Sequence, residues 1–342
     1  QFVCSNRNPC QQVVLDDRYL KQNPRYGTRQ VVHDVCAFGE NSRLYPISKA
    51  WTTSTLHANQ FTAACGVTIY RGDALPEEFY GNAFTCDPTG NLVHREVLSP
   101  AGATFTGHSP YEHKEFLASP DTWFRPVNLA HGPDGALYLV DMYRAVIEHP
   151  DFMPTELKTR PDLLLGNDLG RIWRVTSKSR GGASPTVNDL TTLTTNHLVE
   201  QVASTNSWQR DAAVRLLTER QAENMQNDVR QLARSAKLPA SRAAAWWLLR
   251  QLGALQVDDL QGAFEDSAPE VRETALLLSE HHLSDGGVQA EVSSLVSDPD
   301  ARVRFQAVQT LTLAPAGDSL ASALVVVSQK DATDPWLRAA VL

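Results

Sequence analysis

The clearest chemical signal in the sequence is a pair of charged side chains just past the end of an apolar strand. Within WFRPVNLAHGPDGALYLVDMYR (123–144), the apolar stretch 136–140 is followed by Asp141 and, three residues later, Arg144. A strand that is apolar on both faces and then ends in an acid, a phenol and a guanidinium has reached solvent, and binding faces tend to lie at such points. Asp141 and Arg144 could therefore hold a bound molecule or form an internal ion pair.

The same stretch predicts the structure that positions these side chains. Residues 127–130 and 136–140 are short, apolar and bounded by turn residues, which is typical of two buried strands. Between them, Pro133, Asp134 and Gly135 supply the fixed φ, the side-chain-to-backbone bond and the positive φ of a tight hairpin. We expect Asp141 at the open end of this hairpin.

Composition restricts the classes of function. The chain has 342 residues, of which 42% are hydrophobic and 20% charged, and this length is enough for two domains. The net charge of −8 and the lack of a Lys/Arg cluster argue against nucleic-acid binding. No stretch is long and apolar enough to be predicted as a transmembrane segment.

Two parts of the chain follow different patterns. Residues 1–177 contain short β-branched and aromatic runs separated by Gly, Pro, Asn and Asp, which predicts a sandwich, barrel or propeller. Residues 178–187, KSRGGASPTV, read as a linker. Residues 188–342 change to a helical period. The fold class predicted is therefore multidomain, β followed by α.

The helical part contains a repeat. Its arginines recur every 30 to 34 residues, each followed three positions later by a small or aliphatic residue. A period of this size is typical of a stacked helical solenoid. The arginines are Arg210, Arg242, Arg272, Arg304 and Arg338.

All five cysteines lie in the first quarter of the chain, at positions 4, 10, 36, 65 and 86. None forms a C-x-x-C pair, so neither a zinc ribbon nor a c-type haem attachment site is indicated. The cluster permits one or two disulfides in an oxidising compartment. Buried free thiols are an equally good interpretation.

Longer motifs carry a family resemblance. The stretches TAACGVTIYRGDALPEEFYGNAFTCDPTGNLVHREVL (62–98) and FLASPDTWFRPVNLAHGPDGALYLVDMYRAVIEHPDF (116–152) look like consecutive blades of a six-bladed propeller of the glucose/sorbosone dehydrogenase class. Together with TNSWQRDAAVRLLTER (205–220), they resemble planctomycete proteins described as membrane-bound or PQQ-type dehydrogenases. In those proteins a propeller is joined to HEAT-like repeats. The closest copies of the HEAT pattern are DSAPEVRETA and DPDARVRFQA.

The resemblance implies a function. Enzymes of this class bind PQQ and calcium on the propeller face, oxidise a sugar or polyol, and pass electrons to a haem or another acceptor. The implied cofactor residues are Arg125, Asp141 and Arg144, and the implied catalytic base is His57 in TLHANQFTAACG. No acidic cluster with metal-ligand spacing indicates where calcium would bind, so the metal ligands stay unassigned.

The resemblance also implies the setting of the protein. We expect an extracytoplasmic location, periplasmic or at the cell surface, and a cytochrome or other protein partner on the helical repeats. Residues 1–177 supply about two and a half blades, and a propeller needs at least four. We therefore expect these to be the last blades of the propeller, with further blades before Gln1.

A non-catalytic function is the alternative. Propellers and solenoids both serve as scaffolds for protein–protein or cell-surface assembly. The residues present here do not complete a catalytic set, which favours this alternative. Arginines and carbonyl oxygens converging on an open face would favour the enzyme.

Overall fold

The computed structural model describes residues 1–23, 25, 28, 30–36, 42–49, 59–149, 151, 153, 155–178, 187, 189–315 and 317–341. These residues form β-sheets in the N-terminal half and helices in the C-terminal half, so the predicted combination of β and α structure is confirmed. They do not form a closed propeller.

The strands are β1 (Phe2–Ser5), β2 (Asn8–Val13), β3 (Val32–Asp34), β4 (Cys65–Ile69), β5 (Ala83–Asp87), β6 (Leu92–Ala101), β7 (Thr104–His108), β8 (Leu117–Ala118), β9 (Pro126–His131), β10 (Leu137–Asp141) and β11 (Arg171–Val175). The α-helices are α1 (Asp17–Leu20), α2 (Thr155–Lys158), α3 (Thr195–Gln201), α4 (Ser207–Glu219), α5 (Gln226–Ser235), α6 (Pro239–Gln251), α7 (Val257–Phe264), α8 (Pro269–Ser279), α9 (Gly286–Ser294), α10 (Ala301–Leu311), α11 (Asp318–Lys330) and α12 (Pro335–Val341).

These elements belong to two compact units that alternate along the chain. Unit 1 consists of Gln1–Val13, Val32–Ser99 and Phe105–Thr186. Unit 2 consists of Val14–Val31, Pro100–Thr104 and Val187–Leu342. Two short N-terminal segments therefore belong to the mainly helical unit, a grouping that the sequence pattern did not indicate.

The described residues of unit 1 form three antiparallel sheets. Their strand orders are β1-β2-β3, β4-β5-β6-β7 and β11-β10-β9, and β8 pairs with β6. The first strands of successive sheets contact each other, β1 with β4 and β4 with β9. Each sheet is a meander because, apart from β8, its hydrogen-bonded neighbours follow one another in the chain. Some connections are tight turns, as between β9 and β10, and others are long, as between β10 and β11.

The core of unit 1 lies on the faces where these sheets pack. Tyr70, Phe84, Leu129 and Leu139 belong to one buried cluster that joins the second and third sheets. On the third sheet, the predicted hairpin is confirmed: β9 and β10 are joined by a turn in which Gly135 has φ +76°. An added Cβ at this glycine would lie 2.0 Å from the Asp73 carboxylate, so the turn depends on glycine in two ways.

Unit 2 is a stack of helices in which α4, α6, α8, α10 and α12 contact one another in succession. Their shared arginine is a local clamp. In the first four of these helices, the arginine Nη1 donates to the backbone carbonyl six residues earlier, at 2.8 Å each time. The alanine three residues after each of these arginines is completely buried, which allows the helices to approach closely.

Three of these arginines also bind an acid in the next repeat, and we call these pairs the arginine–aspartate ladder. Arg242 donates to Asp266, Arg272 to Asp298 and Arg304 to Asp331, each through Nε and Nη2. Such two-point pairs fix both the distance and the orientation of the two side chains. The ladder therefore sets the register between successive repeats.

The segment Val14–Val31 is held within unit 2 by polar contacts. Tyr19 donates its hydroxyl hydrogen to Glu280 and accepts a hydrogen bond from Gln306 at 2.8 Å. Arg18 adds an ion pair to the same carboxylate.

Among the described residues, no helix is long and apolar enough to cross a membrane, as predicted.

Candidate functional site

The end of β10 carries Asp141, and the structure turns its carboxylate inward. Its side chain is 1% exposed and accepts hydrogen bonds from the backbone nitrogens of Arg125 and Tyr143 at 2.8 and 2.9 Å. The indole Nε1 of Trp173 donates to its second oxygen at 3.0 Å. With both oxygens occupied, Asp141 fixes the path of the chain after the strand and is not presented to a ligand.

Arg125 acts on the same loop from the neighbouring strand. Its guanidinium donates to the carbonyl oxygens of Pro88 at 2.7 Å, Arg144 at 3.1 Å and Ala145 at 3.0 Å. Burial lowers the pKa of this guanidinium, with nearby charges acting in both directions. All three of its nitrogens are used in positioning backbone, so Arg125 holds the loop that carries Arg144.

Arg144 is the predicted residue that remains available. Its Nε is buried and has no hydrogen-bond partner among the described residues. The side chain lines a cleft of about 730 Å³ together with Met142, Met153 and Lys158. This volume lies in the range of roughly 300–1,000 Å³ that is usual for sites that bind small molecules and cofactors.

The cleft is amphipathic. Val146, Ile147, Leu163 and Leu164 supply apolar walls, and the charged groups in the lining are Arg144, Lys158, Glu148 and Asp151. A smaller cavity of about 150 Å³ shares its central wall and is lined by Lys49, Arg125 and Arg160. Arg160 is paired with Asp162. Lys49 is therefore the additional cation that the smaller cavity contributes next to the cleft.

This arrangement suits a ligand with an apolar body and an anionic group, because a guanidinium binds carboxylates or phosphates through two parallel hydrogen bonds. Of the three cofactor residues implied by the resemblance, only Arg144 lines this cleft with a donor left unpaired by the described residues, whereas Arg125 and Asp141 are used within the protein. No group of three or more His, Cys, Asp or Glu side chains in the described part of the chain is placed to hold a metal ion. The candidate base His57 lies outside the described residues.

Sequence reasoning missed Lys49 and Lys158 as candidates. Lys49 lies 76 positions before Arg125, and Lys158 lies 14 after Arg144, so nothing local connects them. Only the sheet packing and the course of the 142–165 connection bring them to these cavities. An exposed lysine, whether in a loop like Lys49 or at the end of a short helix like Lys158, has no spacing signal that distinguishes a ligand contact from a solvated charge.

A second polar cluster is buried elsewhere in unit 1. His94 is 1% exposed, and its Nδ1 lies 2.7 Å from Glu115, while its Nε2 lies 3.6 Å from Glu96. Burial by itself would lower the pKa of His94, but the two carboxylates outweigh it and raise this pKa to about 9. His94 is therefore an imidazolium between two acids, in line with a structural role for a histidine within a strand.

This cluster makes stability depend on pH. The pKa of His94 is about 9 in the folded protein, against an ordinary value of 6.5. Below pH 6.5 both states are protonated, and between pH 6.5 and 9 only the folded state is. We expect unit 1 to lose stability as pH rises through this window, by at most about 1.4 kcal/mol per pH unit. Urea unfolding at several pH values measures the slope, and His94→Gln should flatten it. A stability that rises with pH in this window would contradict the assignment.

Comparison with known proteins gives one family. Residues 1–179 match the family model described as a domain of unknown function (DUF7133). No curated protein and no solved structure matches the chain. The match covers unit 1 almost completely and includes every residue that lines the two cavities. Because it spans more than half of the 342 residues, the chain belongs to the DUF7133 family.

Proposed function

We propose that this chain is part of an extracytoplasmic, quinoprotein-like dehydrogenase, and that the Arg144 cleft binds an anionic cofactor of the PQQ kind. The observation that carries the proposal is Arg144 itself. It is the one predicted cofactor residue with a buried donor that lacks a partner among the described residues, and it lines the largest of the cavities described above. A buried donor without a partner is costly unless a ligand satisfies it.

The arrangement of strands supports a propeller as the setting. Three successive antiparallel meanders whose first strands contact each other follow the pattern of adjacent blades, which we infer to be part of a six-bladed propeller. The arginine–aspartate ladder supports a HEAT-like solenoid in unit 2. By resemblance, the substrate is a sugar or polyol, and the solenoid is the docking surface for a cytochrome or other acceptor.

The described residues limit what this chain contributes. Arg144 and Lys158 can bind and orient an anionic group, and Val146 and Ile147 can offer apolar contacts to the body of the ligand. The candidate base His57 lies outside the described residues, and no group of three or more His, Cys, Asp or Glu side chains among those described is placed to hold a metal ion. The proposal for this chain is therefore binding and orientation of the cofactor, and PQQ and calcium enter it through the resemblance.

Replacing Arg144 tests this proposal. We expect the full chain to bind PQQ, and Arg144→Ala to weaken binding about 10- to 100-fold, the effect of losing one charge-assisted pair. Isothermal titration calorimetry with PQQ, with and without calcium, measures the affinity. Lys114→Ala is the matched control, since Lys114 is an exposed cation that lines neither cavity and its loss changes net charge equally. Equal weakening in both variants would show a non-specific charge effect.

A non-catalytic scaffold is the second candidate, and a specific observation favours it. Arg125 and Asp141 are used entirely to hold the loop after β10, as expected of a protein that needs this loop for shape. If the wild-type chain binds no PQQ under either condition, this candidate replaces the first. Unit 1 and unit 2 would then serve as binding surfaces for other macromolecules.

A further inference from the structure

Two of the five cysteines lie opposite each other on a pair of neighbouring strands. Cys65 on β4 and Cys86 on β5 are register partners in the antiparallel ladder. Residues opposed in this way have Cα atoms about 4.5–5.5 Å apart and side chains on the same face. A disulfide needs Cα atoms about 4.4–6.8 Å apart, so strand pairing alone places this pair within reach.

Side-chain packing agrees with the register. Cys86 is completely buried in the cluster that contains Tyr70 and Phe84, and Cys65 packs against the same cluster. The Cys65 Sγ lies 3.8 Å from the carbonyl oxygen of Cys86 on the partner strand and 3.9 Å from that of Pro126 on β9. All five cysteines are free thiols in the structure.

In the described strands, none of the other three cysteines has a cysteine as its register partner, although both burial and the nearness of Cys4 raise the pKa of Cys65 and of Cys86. Cys10 is opposed by Val35, whose nitrogen donates to the Cys10 carbonyl at 3.1 Å, and Cys36 is the next residue along. Cys4 lies where the β1–β2 register shifts, between Val3 and Ser5.

We propose that Cys65 and Cys86 form a cross-strand disulfide in the mature protein. The oxidant is a small-molecule disulfide such as oxidised glutathione. One protein thiolate attacks it to give a mixed disulfide and one reduced glutathione. The second protein thiolate then attacks the protein sulfur of that mixed disulfide and releases the second glutathione. Two electrons and two protons pass from the protein thiols to the two glutathione thiols.

The packed environment predicts when the bond forms. Burial, with Asp87 adding to it, raises the pKa of Cys65 to about 12, and burial raises the pKa of Cys86 as well. A folded, reduced chain therefore holds few thiolates at neutral pH and should react slowly. The bond must form during folding, before the second and third sheets of unit 1 pack against each other. This inference concerns β4 and β5 and holds whether or not the cleft binds PQQ.

Peptide mapping of the full chain tests the proposal. The chain is refolded with reduced and oxidised glutathione, and the remaining thiols are alkylated after denaturation. Trypsin cleaves after Lys49, Arg71 and Arg95, so Cys65 and Cys86 fall in separate peptides, 50–71 and 72–95. We expect these two peptides to be linked and Cys4, Cys10 and Cys36 to be alkylated. Five alkylated cysteines, or a link that uses another cysteine in place of either, would overturn the proposal.

Two variants separate this bond from general effects of thiol loss. The thermal midpoint of the oxidised wild-type chain should fall when dithiothreitol is added. Cys65→Ser should abolish that shift. Cys36→Ser, which removes a buried thiol outside the proposed pair, should retain it. If the Cys65→Ser chain does not fold, Cys86→Ala, a smaller apolar replacement in the same cluster, supplies the same comparison. A shift that persists in either pair variant would contradict the assignment.

Discussion

Asp298→Ala is expected to lower the free energy of unfolding of unit 2 by about 3–5 kcal/mol, the usual effect of removing one partner from a buried ion pair. Asp298 accepts two hydrogen bonds from Arg272, both at 2.8 Å, and the two side chains are 3% and 12% exposed. Without the carboxylate, the guanidinium stays in a largely dry site with only its bond to the Asp266 carbonyl. Urea unfolding followed by circular dichroism at 222 nm measures the loss.

Two further variants bracket this result. Glu265→Ala removes an exposed carboxylate at the end of α7 and should change stability by at most about 0.5 kcal/mol. Asp298→Asn keeps the shape and one acceptor oxygen, so its loss should lie between the other two. If Asp298→Ala and Glu265→Ala had the same effect, the ladder would not set the register of the repeats.

The arginine of α4, Arg210, has no aspartate partner in the described part of the chain like those of the arginine–aspartate ladder. The same reasoning predicts that adding one will raise the free energy of unfolding. Arg210 is 1% exposed, and its Nη2 has no hydrogen-bond partner among the described residues. Ala236 precedes Arg242 by six residues, the spacing at which Asp266 precedes Arg272 and Asp298 precedes Arg304. We expect Ala236→Asp to supply the missing acceptor and to raise the free energy of unfolding by about 1–3 kcal/mol.

The arginine–aspartate ladder shows which features of unit 2 can be predicted from the sequence and which cannot. The period of the arginines and the small residues that follow them is local, so it predicts the helices and their close approach. The acids Asp266, Asp298 and Asp331 lie 24 to 27 residues after their arginines. That pairing depends on how one repeat stacks on the next. The segment Val14–Val31 is further still in sequence from the helices that it contacts. Tyr19 is 261 residues from Glu280, so only folding brings these two side chains together.

In unit 1 the local prediction was also the reliable one. Turn chemistry and apolar runs predicted the β9–β10 hairpin and placed Asp141 at its open end. The use of each charged group was not predictable from type and spacing. Arg125 and Arg144 are both arginines near the same strand end, yet one is occupied by three carbonyl oxygens and the other lines the cleft. Every residue has a backbone carbonyl, so the sequence does not show which arginine will donate to carbonyl oxygens and which will be available to a ligand.

Arg125→Ala is therefore expected to act on stability and only indirectly on binding. It removes three hydrogen bonds from a charged donor to the carbonyls of Pro88, Arg144 and Ala145. Each such bond contributes about 1.5–3 kcal/mol, but water will reach some of the exposed carbonyls, so we expect a loss of about 2–4 kcal/mol in unit 1. Unfolding followed by tryptophan fluorescence measures this loss.

Local exchange distinguishes this role from contact with a ligand. The amides of Met142 and Tyr143 bond to the Arg125 carbonyl and the Asp141 carboxylate, and that of Ala145 to Leu165. Once the guanidinium is gone, hydrogen–deuterium exchange of this loop should quicken, with Arg125→Lys intermediate because lysine keeps the charge but lacks the planar fork. If Arg125→Ala instead weakened PQQ binding while unfolding and exchange stayed as in the wild type, Arg125 would contact the ligand. We do not expect unchanged exchange, because the Arg125 guanidinium joins the carbonyl of Pro88 to those of Arg144 and Ala145.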